Sequence, residues 1–156
     1  MKLDRDTLLS PSFAEDPPVK LNVNARTLGL VIAILAGLGL LFELIGLLGL
    51  LSLGAAVAGT VFGGIVFLAV VGIVVDLAAA GLSLIGGWQM HQGRRDGKNL
   101  VIYGLVVGFI GEIVVGLGYA SIANAFVGLI ILAIVYYLVV ISRFPDEHTD
   151  SATPVA

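Results

Sequence analysis

The sequence from Thr27 to Ser142 is almost entirely apolar, and this feature constrains the fold more than any other. Only seven charged residues interrupt it, and uncharged runs of about 20 residues have the length of a membrane-spanning helix. The chain of 156 residues is 58% hydrophobic and 12% charged, with a mean hydropathy of +1.08, which is too apolar for a soluble domain. The sequence therefore predicts an all-α, polytopic integral membrane protein with one domain.

Four transmembrane helices are predicted from the apolar runs, at residues 27–51, 62–88, 99–118 and 123–142. The run from Leu53 to Trp88 would measure about 50 Å as a single helix, which exceeds one crossing of the bilayer. We therefore expect residues 53–61 to form an outer connection or a short interfacial helix. Pro145 prevents the last helix from continuing. The chain then divides into an N-terminal arm (1–26), a transmembrane domain (27–143) and an acidic, flexible C-terminal tail (144–156).

The basic residues predict the orientation in the membrane. All eight lie outside the predicted helices: Lys2, Arg5, Lys20, Arg26, Arg94, Arg95, Lys98 and Arg143. The positive-inside rule then places both termini and the loop 92–98 in the cytoplasm, so that the helices form two hairpins. The first 26 residues include four acidic residues and do not resemble a cleaved secretory signal. We expect the protein in a prokaryotic cytoplasmic membrane.

The middle loop has two interpretations. Arg94, Arg95 and Lys98, together with Trp88 at the membrane interface, can bind anionic lipid head groups. The same cluster is also what the topology alone requires, and this second interpretation is the one we favour from the sequence.

An internal repeat is one interpretation of a weaker pattern. A shift of 69 positions superposes Glu43 on Glu112 and Gly59 on Gly128. If this match reflects a duplication, the two hairpins are parallel and related by an axis along the membrane normal. Leu, Gly and Ala dominate these segments, so chance identity is the alternative.

The arm ends in a segment, Val19–Arg26, in which apolar and polar residues alternate with the period of an extended strand. A lone strand is marginally stable, so we expect this segment to pair with a partner or to lie along the membrane surface. An irregular linker is the alternative interpretation.

Three acidic residues, Glu43, Asp76 and Glu112, lie inside the predicted helices, where a charged carboxylate costs about 2.5–3.5 kcal/mol at mid-bilayer. Counted from the cytoplasmic helix ends, Asp76 and Glu112 come out about 20 Å deep and Glu43 about 24 Å, so one layer is expected to hold all three. Small residues at helical spacing beside each acid predict that each faces another helix. No Lys or Arg lies within a predicted span to neutralise them.

Three interpretations of these acids stay open. They can be neutral and hydrogen-bonded within the bundle, where they serve only to fix helix packing. They can bind a cation or carry protons. They can also pair with a basic residue of another subunit.

The rest of the composition argues against other classes of site. With no cysteine and two histidines, the chain offers no thiolate or histidine-based metal site and no bis-histidine haem site. A net charge of −3 is unsuited to nucleic acid. No phosphate loop or nucleophile motif is present, so we predict no enzyme activity, no metal and no cofactor.

Two membrane families share part of this layout. Two hairpins with membrane carboxylates resemble the proton-carrying ring subunit of rotary ATPases, but there the acid is in the second helix of each hairpin, whereas Glu43 and Glu112 are in the first. Glu43 in the first of four helices is similar to the small multidrug transporters, but the rest of the sequence departs from their pattern. Neither family is recognised in this chain.

From the sequence we therefore expect a non-enzymatic accessory or structural subunit of a larger membrane assembly. Its partners would be the lipid bilayer and other membrane subunits or copies of itself. The alternative is a small cation- or proton-coupled transporter that uses Glu43, Asp76 and Glu112.

Overall fold

The computed structural model describes residues 8–9, 11–14, 17–19, 21–57, 59–119 and 122–145, with the backbone alone described at 61, 115–119 and 122–125. Its long helices are α1 (Ala25–Val57), α2 (Val61–His91), α3 (Asp96–Tyr119) and α4 (Ile122–Ile141), and a short 3-10 turn, Ser12–Ala14, precedes them. The prediction of an all-α fold with four helices is confirmed. The part of the chain described contains no β-strand.

Three of the helices are long and apolar enough to cross a membrane: Ala25–Val57, Phe62–His91 and Asp96–Val114. The described apolar part of α4, Phe126–Ile141, is shorter. These lengths and compositions are those of an integral membrane protein. At about 1.5 Å per residue, α1 measures roughly 50 Å and α3 roughly 36 Å, against about 30 Å for the hydrocarbon core of a bilayer.

The first helix extends past its expected end. Sequence patterning ends this helix at 51, but α1 runs on to Val57, and only residues 58–60 connect it to α2. Gly54 packs closely against α2, where a Cβ atom would lie 3.2 Å from Val66 Cγ1. Gly59 makes the turn with a φ of 83°, a left-handed conformation that favours glycine. Residues 53–57, which were expected to lie in the connection, are therefore helical and pack on α2.

The second helix packs on both of its neighbours through two different faces. Both faces repeat with alternating spacings of three and four residues, the spacing of left-handed helix packing. The face toward α1 carries the half-buried or buried residues Val66, Val70, Ile73, Leu77, Ala80, Leu84 and Gly87. The face toward α3 carries Ala69, Gly72, Asp76, Ala79, Ser83, Gly86 and Met90. The helix is therefore the central element of the bundle.

The closest helix contacts occur at one end of the bundle. A Cβ atom on Gly87 would lie 2.7 Å from the carbonyl oxygen of Gly29 in α1, and one on Gly86 would lie 2.7 Å from the amide nitrogen of Val101 in α3. Backbones that approach this closely need small residues at the contact. The adjacent glycines of α2 therefore let α1 and α3 pack against neighbouring faces of the same turn.

The buried apolar core lies at this same end, where α1 and α3 begin and α2 and α4 end. Its fully buried side chains are Met90, Val101, Ile102 and Val139. By contrast, no residue of α1 between Ala36 and Val57 is buried within the chain. The bundle is therefore tightly packed at one end and open to its surroundings at the other.

The described part of the N-terminal arm returns to the end of α4. Asn24 forms a single parallel bridge with Arg143, whose N–H donates to the carbonyl oxygen of Val23 at 3.0 Å. Phe13 stacks on Tyr137, with the ring centroids 5.8 Å apart. The extended segment therefore pairs with the chain's own C-terminal segment, at one position. The predicted tail beyond Pro145 and much of the predicted arm lie outside the described residues.

The internal repeat stays a prediction. The two helices that it relates differ in length, since α1 has 33 residues and α3 has 24. Gly59 lies in a turn, whereas Gly128 lies inside α4.

Candidate functional site

Glu43 lies in the contact between α1 and α2. It belongs to a stripe of buried and half-buried residues along α1 that repeats every three and four positions: Gly29, Ala33, Ala36, Leu40, Glu43, Leu47, Leu50, Gly54 and Val57. Contacts of this stripe with α2 occur both before and after Glu43, at Gly29 with Gly87 and at Gly54 with Val66. Its Oε2 atom is buried and has no hydrogen-bond partner among the described residues.

Asp76 lies in the contact between α2 and α3. Its carboxylate rests directly against Gly111, in space that a Cβ atom at that position would occupy. Gly108, three residues earlier on α3, faces Ala79. A Cβ atom placed on Gly108 would lie 3.5 Å from the Cβ atom of Ala79. The small residues of α3 therefore leave room for the aspartate inside the helix contact.

Glu112 lies in the contact between α3 and α4. A Cβ atom on Gly128 would lie 2.6 Å from the carboxylate carbon of Glu112. As at Asp76, a glycine of the next helix provides the space for an acid. Each of these two half-buried carboxylates therefore lies against a glycine of the helix that follows it in the chain.

The three acids lie near one another but in separate helix contacts. Asp76 interacts electrostatically with both glutamates, and Glu43 interacts with Glu112. The expectation that they share one layer of the bundle stays a prediction. The described residues contain no group of three or more His, Cys, Asp or Glu side chains arranged to hold a metal ion. The acids are therefore close enough to influence one another, and each has a different helix neighbour.

No described residue neutralises the acids. None of the three carboxylates forms an ion pair or a hydrogen bond within the described part of the chain. One interpretation of the sequence was that the acids are hydrogen-bonded within the bundle, and Ser83 in α2 is a hydroxyl on the same face as Asp76. The structure instead places Ser83 against Gly104, where a Cβ atom would lie 2.5 Å from its Oγ. Among the described residues, the close neighbours of the Asp76 and Glu112 carboxylates are glycines, Gly111 and Gly128.

The residues of the middle loop separate onto two faces. Trp88 and Arg94 line one shallow cleft of about 380 Å³, and the Trp88 side chain is 52% exposed and tilted against His91. Arg95 and Lys98 line a second cleft of about 530 Å³. The four residues that were grouped at the sequence level therefore do not form one site.

Lys98 has a structural contact that the sequence analysis missed. Its Nζ donates to the carbonyl oxygens of Val140 at 2.8 Å and Ser142 at 3.0 Å. The last carbonyls of a helix lack partners within the helix, so a cation at this position stabilises the end of α4. In the sequence, Lys98 indicated only the side of the membrane on which the loop lies. No nearby residue indicated that it contacts Val140 and Ser142, more than 40 positions later.

Comparisons with known proteins identify no family for this chain. The chain matches no protein-family model, no curated protein and no solved structure.

Proposed function

We propose that the chain is a non-enzymatic accessory or structural subunit of a larger membrane assembly. The observation that carries this proposal is the distribution of Glu43, Asp76 and Glu112 over three successive helix contacts. A site that binds a substrate or an ion requires side chains that converge on it. Acids that fill separate contacts, two of them against glycine, instead determine which helices pack together and at what register.

The length of the first hairpin supports a partner in the membrane. Gly111 lies opposite Asp76, so the end of α3 at Tyr119 lies at the level of Leu68 in α2. The end of the hairpin between α1 and α2 then projects about 10 Å beyond α3. Its exposed side chains include Phe62 at 66% and Phe67 at 67% exposed. An apolar hairpin end that extends beyond the hydrocarbon core of the bilayer is stabilised when another protein covers it.

Photo-crosslinking tests this role. A crosslinking amino acid at Phe62 or Phe67 is expected to yield an adduct with another protein in intact membranes. Phe42, which is 68% exposed and lies near mid-bilayer on α1, is the matched control and is expected to yield lipid adducts alone. A stable, partner-free monomer in mild detergent, with no protein adduct at Phe62 or Phe67, would contradict the proposal.

The proposed membrane orientation has four crossings as two hairpins, with both termini in the cytoplasm. The distribution of basic residues supports it, and so does the joining of Asn24 to Arg143, since residues that pair lie on the same side. The natural absence of cysteine makes single-cysteine labelling clean. Thr60→Cys is expected to react with an impermeant maleimide from outside the cell, and Gln92→Cys after lysis. The reverse pattern would contradict the orientation.

A small cation- or proton-coupled transporter is the second candidate. Two observations favour it: the electrostatic interaction among the three acids and the partnerless Oε2 of Glu43. Flux in proteoliposomes is expected to fall in Glu43→Gln, Asp76→Asn and Glu112→Gln if this function applies. Unchanged flux in all three variants would rule it out.

A further inference from the structure

A shallow cleft of about 380 Å³, which we call the Trp88 cleft, lies at the carboxyl end of α2. Its lining residues belong to the last turns of α2 and to the loop that follows: Leu84, Ile85, Trp88, Gln89, Gln92 and Arg94. The side chains of Ile85 and Trp88 are exposed. The cleft therefore faces the surroundings of the bundle and not its core.

A helix-terminating turn places Arg94 at the outer rim of this cleft. Gly93 has a left-handed conformation with a φ of 82°, and its N–H donates to the carbonyl oxygen of Met90 at 2.9 Å. Arg94 N–H donates to the carbonyl oxygen of Gln89, also at 2.9 Å. This pair of hydrogen bonds is the Schellman motif, which folds the residue after the glycine back over the last turn of a helix. The fold therefore fixes the backbone of Arg94 beside the turn that carries Gln89.

The charge of the Trp88 cleft is positive. Among its described lining residues, Arg94 alone is charged, and residues 83–95 are all described and contain no acid. Within the described part of the chain, the exposed Arg94 guanidinium forms no ion pair and no hydrogen bond. The indole N–H of Trp88 and the side-chain amides of Gln89 and Gln92 are neutral donors in the same lining. A cation beside neutral donors favours an anionic ligand that accepts several hydrogen bonds.

The lining changes from charged to apolar along the axis of α2. Arg94 follows the end of the helix, and Trp88 and Gln92 lie at its last turn. Leu84 and Ile85 lie deeper, and at about 1.5 Å per residue Leu84 is roughly 12 Å from Gln92 along the axis. Because α2 is long and apolar enough to span a membrane, its end lies in the head-group region. A phospholipid presents the same order of groups there, from phosphate through glycerol esters to acyl chains.

We propose that the Trp88 cleft binds an anionic phospholipid, with the Arg94 guanidinium on its phosphate and an acyl chain along Leu84 and Ile85. A guanidinium binds phosphate oxygens through two parallel hydrogen bonds, and an indole at the interface has one polar and one apolar side. The order of the lining along the membrane normal favours a lipid over a protein occupant. The site requires only that α2 span a membrane, so it is independent of the proposed accessory role.

Fluorescence quenching tests the site, because Trp88 is the single tryptophan of the chain. The full chain is reconstituted in phosphatidylcholine brominated on its acyl chains, which quenches a tryptophan that it contacts. Exchange for unbrominated phosphatidylglycerol then measures the affinity of the cleft for this anionic lipid relative to phosphatidylcholine. Wild type is expected to prefer phosphatidylglycerol about fivefold, the effect of one cation near anionic lipid, and Arg94→Gln is expected to lose this preference. Arg94 is exposed, so the substitution leaves the core intact.

Arg143→Gln is the matched control, since Arg143 is an exposed arginine at the same end of the bundle that lines the other cleft. It is expected to keep the preference within twofold of wild type. An equal preference in wild type and Arg94→Gln would overturn the site. An equal loss in Arg94→Gln and Arg143→Gln would also overturn it, in favour of general surface charge.

Two further measurements distinguish the other occupants. Weak quenching of Trp88 in pure brominated phosphatidylcholine would mean that protein covers the cleft, and it would overturn the lipid assignment. Inorganic phosphate is compared with sodium chloride at equal ionic strength, which screens charges equally. A loss of the preference in phosphate alone would make free phosphate the ligand and overturn the head-group assignment, whereas an unchanged preference supports it.

Discussion

Gly86→Ala tests whether the contact between α2 and α3 sets the stability of the bundle. A Cβ atom at Gly86 would lie 2.7 Å from Val101 N and 2.8 Å from Gly97 O, whereas ordinary contacts begin at 3.4 Å. Both atoms belong to the backbone, so the two helices must separate by roughly 0.7 Å to admit the methyl group. Inserting a methyl group into a packed contact lowers the free energy of unfolding by about 1–3 kcal/mol. Because the neighbouring atoms at Gly86 belong to the backbone and cannot move aside, we expect the upper end of this range. Alanine recovers about 1 kcal/mol of helix propensity relative to glycine, which leaves a net loss of about 2 kcal/mol.

The control and the assay use features of the same helix. Gly81, also in α2, has nothing within 4 Å of an added Cβ atom, so Gly81→Ala is expected to be neutral or stabilising by up to about 1 kcal/mol. Unfolding by sodium dodecyl sulfate in mixed micelles is followed by circular dichroism and by fluorescence of Trp88, the single tryptophan. A midpoint for Gly86→Ala equal to or above that of Gly81→Ala would refute the packing argument.

Three further predictions concern the polar contacts. Lys98→Met is expected to destabilise the bundle by about 1.5–3 kcal/mol in the same unfolding assay, because it removes a charged donor from two carbonyl groups at the end of α4. Arg94→Met is the control, since Arg94 lines the cleft with Trp88, and it is expected to change the unfolding midpoint little. Asp76→Asn, which keeps the shape of the side chain, is expected to stay within about 0.5 kcal/mol of wild type if the acid is neutral and structural. A large loss in Asp76→Asn would indicate instead an ionised aspartate with a bound cation. Tyr137→Phe removes the hydroxyl that bonds Val19 and should speed proteolysis of the arm without changing the unfolding midpoint of the bundle; an unchanged cleavage rate would contradict this role.

The number of helices was accessible from sequence because hydropathy reports it directly. The end of α1 was not, because residues 53–57 are as apolar as the helix before them, and the decision between helix and connection depends on the fit of Gly54 to Val66. Composition indicates that a segment lies in lipid. It does not indicate where a uniformly apolar segment turns back.

The candidate acids show the same division. Their similar depth is a prediction made by counting residues along each helix, and it stays a prediction. Their assignment to separate helix contacts depends on which face each helix turns to its neighbour. Gly111 and Gly128 mark the faces that contact Asp76 and Glu112. The chain has 21 glycines, and the sequence around any one of them does not indicate which residue of another helix it contacts.

The bridge between Asn24 and Arg143 has a consequence for synthesis of the chain. Asn24 leaves the ribosome before any of the four helices, and Arg143 leaves after the last of them. The arm therefore has no place to dock until α4 and Arg143 have been synthesised. A product that stops before α4 presents Phe13 without its aromatic partner and Val23 without its hydrogen-bond donor, and a terminal segment that is not tied down in this way is a preferred site of proteolytic cleavage.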